Sequence, residues 1–267
     1  MILVLRLFYY LRSIFTLLTG ITNWPTVIAA FVGLPLEKPF VIQLRSTGLR
    51  FKVRSPMDIW IVKETCIDRD YERISVPIQN GCKVVDIGAG VGDFSIDTAR
   101  CNPLGIVHAY EPFPGSFELL QQNVLLNHME NVKAFPEAIS DHAGTLQLEL
   151  SGAAVQHSTA RTALEQGSVA VPAITLSKVL SRLEGGRCDL LKMDCEGAEY
   201  GILMNSGEDC WHCIGQIVME YHDGVTSFSH QDLVAFFEKR GFQVRSFPSK
   251  VQRNLGFLHI LMEPKDS

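Results

Sequence analysis

The sequence predicts an α/β protein built on a doubly wound, mostly parallel seven-stranded sheet that closes with a C-terminal antiparallel hairpin. Two observations support this prediction. Short segments that are apolar throughout alternate with segments of helical periodicity, a pattern typical of parallel strands covered by helices on both faces. Near the end of the chain, two strand-like segments are separated only by a loop, so the last strand must run antiparallel to its neighbour.

The chain is expected to divide into an N-terminal part, residues 1–54, and a main domain, residues 55–267. Residues 1–20 are apolar except for Arg6, Arg12 and a few hydroxyl groups, and they are too interrupted to predict a membrane span. A signal peptide is disfavoured, because a cationic start and a small-residue cleavage site are both missing. We expect a helix that packs on the main domain or on a partner. The alternative is an interfacial helix that makes peripheral membrane contact, with both arginines at the headgroups.

Turn-forming residues follow this first helix and predict a linker: Pro25, Gly33, Pro35 and Pro39. Residues 40–54 then alternate loosely between apolar and polar side chains around a short Ser-Thr-Gly turn. This pattern predicts a small hairpin.

The main domain contains the alternation that predicts the sheet. Five strands are predicted for its parallel part, at residues 83–87, 105–110, 132–139, 188–193 and 216–221. Helices are predicted at 57–71, 94–99 and 115–127, where apolar side chains recur at helical spacing.

The last helix is predicted to begin at Ser229, with Asp232 completing a capping box, and to end at Gly241. Residues 242–247 and 257–262 then form the closing hairpin.

Composition narrows the choice of partners. The net charge of −5 gives no electrostatic footprint for DNA or RNA, so we expect no nucleic acid partner. Seven cysteines, an odd number without a framework spacing, fit a reducing cytoplasm better than a secreted protein. A zinc site is disfavoured because no second pair stands at finger spacing; its members would be Cys195, Cys210, His212 and Cys213.

The first strand ends in the sequence Asp-Ile-Gly-Ala-Gly-Val-Gly-Asp, residues 86–93. Gly88 and Gly90 permit a tight turn and a close approach of backbone to ligand. Asp93 stands where a dinucleotide fingerprint requires its third glycine, and its carboxylate would repel a pyrophosphate. Asp86 suits a cationic group such as an amino-acid ammonium. The loop therefore favours S-adenosylmethionine, which is cationic and carries no phosphate, and disfavours a nicotinamide dinucleotide.

The second strand ends at Glu111, 19 residues after Gly92. A carboxylate in this place can accept hydrogen bonds from both ribose hydroxyl groups. Phe113 follows closely and is expected against the adenine face, although packing is the more ordinary role for such a side chain.

Acidic side chains also follow the fourth and fifth strands. In an open α/β sheet, the carboxyl ends of parallel strands meet at one edge, where ligands bind. A carboxylate or imidazole at such an edge can position a bound substrate and accept a proton from it. Our candidates for this role are Asp194, Glu196 and His222, and Lys192 is expected to pair with an acid on the same face of its strand.

Two alternatives remain for the acids of this edge. A divalent cation could bridge Asp194, Glu220 and His222, although we expect no metal. Glu199 could act only as a favourable charge at a helix N-terminus.

Five segments in this order resemble the FkbM family of S-adenosylmethionine-dependent methyltransferases, and the likeness covers roughly residues 55–262. They are VVDIGAGVGDFS (84–95), YEPFPGSFELLQQNVLLN (110–127), AISDHAGTLQL (138–148), LLKMDCEGAEYGIL (190–203) and IVMEYH (217–222). The resemblance implies a Rossmann-like class I methyltransferase fold. It also implies methyl transfer to a hydroxyl oxygen of a sugar, glycolipid or secondary metabolite.

Carried over residue by residue, the resemblance implies a cofactor site of Asp86, Gly88 and Gly90 at the methionine moiety, Glu111 at the ribose, and Ala138 with Asp141 near the adenine. The acceptor is expected to be a small-molecule or lipid-linked hydroxyl compound. Loops 151–172 and 223–230 are expected to shape its pocket, the first as a lid. The alternative function is a catalytically silent adaptor that docks on a membrane or partner through its N-terminus.

Overall fold

A computed structural model describes residues 2–149, 168–249 and 251–262. The strands are β1 (Phe40–Gln43), β2 (Arg50–Val53), β3 (Lys83–Ile87), β4 (Ile106–Tyr110), β5 (Val132–Phe135), β6 (Ala138–Ser140), β7 (Gly144–Glu149), β8 (Ser168–Thr175), β9 (Cys188–Met193), β10 (Ile214–His222), β11 (Phe242–Pro248) and β12 (Leu255–Met262). The α-helices are α1 (Ile2–Gly20), α2 (Trp24–Phe31), α3 (Pro56–Val62), α4 (Asp70–Ile74), α5 (Asp93–Cys101), α6 (Pro114–Leu126), α7 (Leu176–Ser181), α8 (Glu199–Met204), α9 (Glu208–His212) and α10 (His230–Glu238).

The central sheet has seven strands in the order β11-β12-β10-β9-β3-β4-β5. β10, β9, β3, β4 and β5 are parallel, and β12 pairs antiparallel with both β10 and β11. The predicted fold class, a doubly wound sheet with a C-terminal antiparallel hairpin, is confirmed. Its capped last helix is also present, since Ser229 and Asp232 form a capping box at the start of α10.

Each central strand contributes apolar side chains to both faces of the sheet. Val85, Leu191 and Ile217 pack against the helices α7 to α10. Val84 and Leu190 point to the opposite face, towards α5 and α6. Because both faces are covered, most positions along these strands are apolar, although the buried polar residues include His108 in the middle of β4 and Lys192 near the end of β9.

The prediction of a linker after the first helix is wrong in part, because residues 24–31 form the helix α2. Pro25 lies in its first turn, where a missing N–H costs no helical hydrogen bond. The hairpin that follows is present as β1 and β2, which pair from Phe40 with Val53 to Gln43 with Arg50. It is tied to α6, because the Asn123 side chain bonds the main chain of Lys52.

The strand predicted at 132–139 is divided between two sheets. β5 belongs to the central sheet, whereas β6, after Pro136, pairs with β8 in a separate sheet of order β6-β8-β7. The predicted lid at 151–172 lies mostly outside the described residues, and its last part, 168–172, is strand β8 rather than loop.

The predicted helix over 57–71 is interrupted. It begins as α3, continues as a π-helix from Lys63 to Asp68, and restarts as α4 after Arg69, whose φ is 58°. The Lys63 side chain is fully buried inside this segment. Its ammonium lies 2.5 Å from Asp68, donates to Ser13 of α1 at 2.9 Å, and stands over the Trp60 ring.

The helix α1 packs on the main domain through polar contacts of this kind. Besides the Ser13 bond, the Tyr9 hydroxyl donates to Glu64 at 2.8 Å, and Arg6 donates to the carbonyl of Val251. Over the described part of the chain, no helix has both the length and the apolar character needed to cross a membrane.

Candidate active site

The loop between β3 and α5 is shaped by glycines. Gly88, Gly90 and Gly92 have φ values of 73°, 54° and 90°, which side chains disfavour. The Gly88 N–H donates to the carbonyl of Tyr110 at 3.0 Å. A Cβ on Gly88 would lie 1.8 Å from the carbonyl oxygen of Asp194, so only glycine allows the loop to approach the end of β9.

Asp86 lies at the end of β3, fully buried beneath this loop. Ser95 donates to one of its carboxylate oxygens at 2.6 Å, and the Lys192 ammonium lies 3.0 Å from the other. Lys192 also donates to the Gly88 carbonyl at 2.7 Å. Burial lowers the pKa of Lys192, but Asp86 and Asp194 outweigh it and hold that pKa above its usual range. Asp86 therefore already has a cationic partner, Lys192, in the place where a ligand ammonium was expected.

Glu111, at the end of β4, is nearly buried and touches the glycine loop. Its carboxylate accepts the N–H of Gly90 and the N–H of Phe113, each at 2.8 Å. Burial raises the pKa of Glu111 to about 7, although both N–H groups lower it. Each oxygen retains a lone pair for a further donor.

After β9, the chain makes a turn over residues 194–199 that Glu199 holds from inside. This carboxylate is fully buried and accepts the N–H groups of Cys195 at 2.6 Å and Gly197 at 2.7 Å. Glu199 therefore organises the turn, beyond any favourable effect on the dipole of α8.

The turn brings Glu196 next to His222 from the end of β10. The imidazole Nε2 lies 3.4 Å from the Glu196 carboxylate, and Nδ1 lies 3.6 Å from Glu199. Burial raises the pKa of Glu196 to about 7, with repulsion from Asp194 adding to the effect and His222 opposing it. Burial lowers the pKa of His222, but the Glu199 and Asp194 carboxylates outweigh it and raise that pKa to about 9.

Among the described residues, one set brings three metal-ligating side chains together: Asp194, Glu220 and His222, whose candidate ligand atoms all lie within 4.8 Å of one another. Burial and repulsion from Asp194 raise the pKa of Glu220. These are the three residues for which a bridging divalent cation was considered from the sequence.

The strand ends and the glycine loop enclose one cleft of about 1010 Å³, part of which is open to solvent. Seven of the ten predicted site residues line it: Gly88, Gly90, Glu111, Phe113, Ala138, Asp194 and Glu196.

The other three predicted residues lie outside this lining. Asp86 is beneath the loop, and His222 is behind Glu196 with 7% of its surface exposed. Asp141 is exposed and bonds its own neighbours, Ser140 at 3.0 Å and His142 at 2.5 Å.

Tyr71, Arg54 and Asp58 are among the lining residues that the sequence did not indicate. The Tyr71 hydroxyl donates to Asp194 at 3.2 Å, and burial holds the pKa of Tyr71 well above its usual range, so it remains a donor. Arg54 and Asp58 form an ion pair at 3.3 Å at the other side of the cleft. No local signal marks Arg54 or Tyr71 as site residues, because each reaches the cleft from an element outside the sheet. Asp58 resembles an ordinary helix N-terminal acid.

The residues present fit S-adenosylmethionine. The cleft combines a backbone cradle at Gly90, where a Cβ would meet nothing within 4 Å, with a buried carboxylate at Glu111 that has acceptor capacity left for ribose hydroxyls. Seven acids lie at or beneath the cleft, against two lining cations, Arg54 and Lys192; the acids are Asp58, Asp86, Asp93, Glu111, Glu137, Asp194 and Glu196. Such a surface favours a cationic, phosphate-free ligand.

The sheet order, together with a cofactor cleft at the carboxyl ends of β3 and β4, defines a class I methyltransferase, an enzyme that takes its methyl group from S-adenosylmethionine. The sequence profile of the methyltransferase FkbM domain matches residues 86–244. The chain belongs to this family, as the sequence resemblance indicated.

Three known methyltransferases are similar in sequence to this chain. Methyltransferase sdnD of Sordaria araneosa is 30% identical over 216 residues, with 69% of this chain and 82% of the relative covered. The 31-O-demethyl-FK506 methyltransferase FkbM of Streptomyces tacrolimicus is 27% identical, with 69% and 82% covered. The hexuronic acid methyltransferase AglP of Haloferax volcanii is 23% identical, with 71% and 77% covered. The alternative of a silent adaptor finds no support in these comparisons.

Proposed function

We propose that this methyltransferase acts on oxygen, and that its acceptor is a hydroxyl group of a sugar, glycolipid or secondary metabolite. One observation carries the proposal. Glu196, a carboxyl group with a pKa of about 7, lines the same cleft as the glycine loop and Glu111. A base poised near neutral pH is what an alcohol acceptor requires, because its oxygen must lose a proton as the new bond forms.

The names of two relatives support the choice of oxygen and of the acceptor class. One is named as the methyltransferase of 31-O-demethyl-FK506, and another as a hexuronic acid methyltransferase. The first name specifies an oxygen, and a hexuronic acid offers oxygen acceptors in its hydroxyl groups and its carboxylate.

We assign roles to this chain's residues as follows. Glu111 binds the ribose hydroxyls, the Gly88–Gly90 backbone holds the methionine part, and Phe113 and Ala138 border the adenine. The Asp86–Lys192 pair supports this loop from beneath, through the Lys192 bond to the Gly88 carbonyl. Asp141 lies outside the lining, where its carboxylate accepts the Ser140 hydroxyl. When bound, S-adenosylmethionine supplies a sulfonium methyl group for in-line transfer.

On the acceptor side, Glu196 accepts the hydroxyl proton, and Asp194, oriented by the Tyr71 hydroxyl, positions the acceptor. His222 acts through Glu196, whose pKa it lowers by its positive charge. No step of this proposal requires a metal.

Titration calorimetry with S-adenosylhomocysteine tests the cofactor site. The wild-type protein should bind, and Glu111→Ala should weaken binding by about tenfold or more, since it removes the ribose acceptor and the Gly90 contact. The exposed Glu118 on α6 offers a matched control, and Glu118→Ala should bind as the wild type does. Folded wild-type protein that binds nothing would contradict the assignment of the cleft.

Methyl transfer is tested with labelled S-adenosylmethionine and a pool of hydroxyl-bearing metabolites. We expect label in ether methyl groups. Label found only on nitrogen or carbon would overturn the proposal of an oxygen acceptor.

A further inference from the structure

The outer face of α1 is apolar and exposed. Phe8 and Phe15 are 67% and 65% exposed, and Leu7, Leu11 and Ile14 are each more than half exposed. At 3.6 residues per turn these five side chains fall on one stripe along the helix. Such a stripe on a packed surface helix would ordinarily face the core.

The inner face of α1 is the more polar one. Ser13 and Tyr9 hydrogen-bond Lys63 and Glu64 of the π-helix, and Leu17 is the one fully buried apolar side chain among those described in α1. The helix therefore holds to the protein by hydroxyl groups and presents its hydrophobic side to the surroundings.

The second helix, α2, extends this surface. Trp24, Ile28 and Phe31, at spacings of four and three residues, are 40–44% exposed, and Val32 and Leu34 after them are still more exposed. An exposed apolar surface spread over two adjacent helices marks an interaction site on a monomeric protein.

The charges around this surface favour one occupant. Residues 1–36 contain no acidic side chain, and of their two basic residues Arg12 is exposed beside the α1 stripe, whereas Arg6 is held on the inner face by the carbonyl of Val251. A long cationic side chain in the position of Arg12 reaches lipid phosphates while its stem covers apolar surface. Tyr10 and Trp24 add aromatic rings of the kind enriched where a membrane meets water.

We infer that α1 and α2 form a docking face for the surface of a bilayer that contains anionic lipids, with both helices lying in the interfacial plane. Neither helix is suited to span the membrane, so the contact is peripheral.

This placement has a consequence for the active site, which rests on the proposed function. The π-helix segment that holds α1 continues from α3, and both contribute to the cleft lining, through Asp58, Ile61 and Thr65. The methyl acceptor site would then lie close to the lipid surface, which favours a lipid-linked hydroxyl acceptor.

Vesicle flotation of the full-length protein tests the docking face. We expect wild-type protein to float with vesicles of phosphatidylcholine containing about 30% phosphatidylserine, and less with phosphatidylcholine alone. The double variant Phe8→Glu with Phe15→Glu should lower the partition coefficient by about tenfold or more, because two aromatic rings that the bilayer would bury are replaced by carboxylates. Leu104, 80% exposed before β4, provides the matched control, and Leu104→Glu should float as the wild type does.

Two further measurements separate the outcomes. The Trp24 emission, obtained by subtracting the spectrum of Trp24→Phe from that of the wild type, should shift to the blue on anionic vesicles. This measurement leaves the α1 stripe unaltered. Wild-type protein that stays in the bottom fraction of the gradient, or a double variant that floats as well as the wild type, would overturn the inference. A dimer that the double variant dissociates, without any lipid binding, would assign the face to a second copy instead. S-adenosylhomocysteine binding, measured in parallel, reports on the proposed function separately.

Discussion

Glu196 has a main-chain conformation that residues with side chains seldom adopt, with φ at 52°. Such a conformation costs about 1–2 kcal/mol and persists where neighbours enforce it. Here the buried Glu199 enforces it by binding N–H groups on both sides, at Cys195 and Gly197. The strain directs one carboxylate into the cleft, where burial gives it a pKa near neutrality.

Replacement of Glu196 tests its role as the base. With saturating S-adenosylmethionine, so that Glu111 is occupied, the wild-type rate should rise with pH through about 7, because the base acts only when deprotonated. Glu196→Gln should remove this rise and lower kcat by about 100-fold or more. Glu118→Gln should leave the profile unchanged. A rise that persists in Glu196→Gln would assign the proton to another group, and loss of rate with a chelator would favour the Asp194–Glu220–His222 cation site.

The sequence predicted many of these residues, although it could not predict their partners. Acids at strand ends were expected to meet because the topology requires it, and Glu111, Asp194 and Glu196 do share one cleft. The neutralisation of Asp86 by Lys192 depends on side-chain reach within the folded sheet. Tyr71 enters the site through an irregular helix that periodicity does not describe.

The elements of the central sheet were predictable because each carries its own pattern of apolar residues. The separate three-stranded sheet of β6, β8 and β7 was not predicted. Only two residues, beginning with Pro136, separate β6 from β5, and no change in periodicity marks the passage from one sheet to the other. The helix α2 was not predicted, because proline commonly ends a helix, although Pro25 is compatible with the first helical turn in which it lies.

The loop after β3 allows a prediction at the level of an element. Gly88→Ala should destabilise the protein by about 3–5 kcal/mol, since left-handed strain adds to a collision with the main chain of Asp194. Gly90→Ala, in the same loop, should cost only about 1–2 kcal/mol, because its Cβ would point into open space.

Urea denaturation measures this difference, and calorimetry with S-adenosylhomocysteine should show weaker binding by folded Gly90→Ala. Equal stability losses for the two variants would contradict the close contact between the loop and β9.

At the scale of the whole molecule, acids gather at one edge of the sheet without an equal number of cations. Burial raises the pKa values of Glu111 and Glu196 to about 7 and that of Asp93 to about 6. Each of these groups binds its proton more tightly in the folded than in the unfolded protein. Folding therefore gains free energy as the pH falls from about 7 towards about 5.

Thermal unfolding of the ligand-free protein should accordingly show a Tm that rises between pH 7.5 and about 5.5, worth on the order of 1–3 kcal/mol in the free energy of unfolding. Glu111→Gln, which cannot ionise, should flatten part of this dependence, whereas Glu118→Gln should preserve it. A Tm that falls steadily over the same range would contradict the shifted carboxyl groups.

The contact between Gly88 and Asp194 has a kinetic consequence. In the proposed assignment the glycine loop touches the methyl donor and Asp194 faces the acceptor. The loop and Asp194 are joined by a close backbone approach, and Lys192 also bonds the Gly88 carbonyl. A shift of the loop when the donor binds must therefore move the acceptor side with it. Turnover in such an enzyme should follow a compulsory order, in which the donor enters first and its demethylated product departs last.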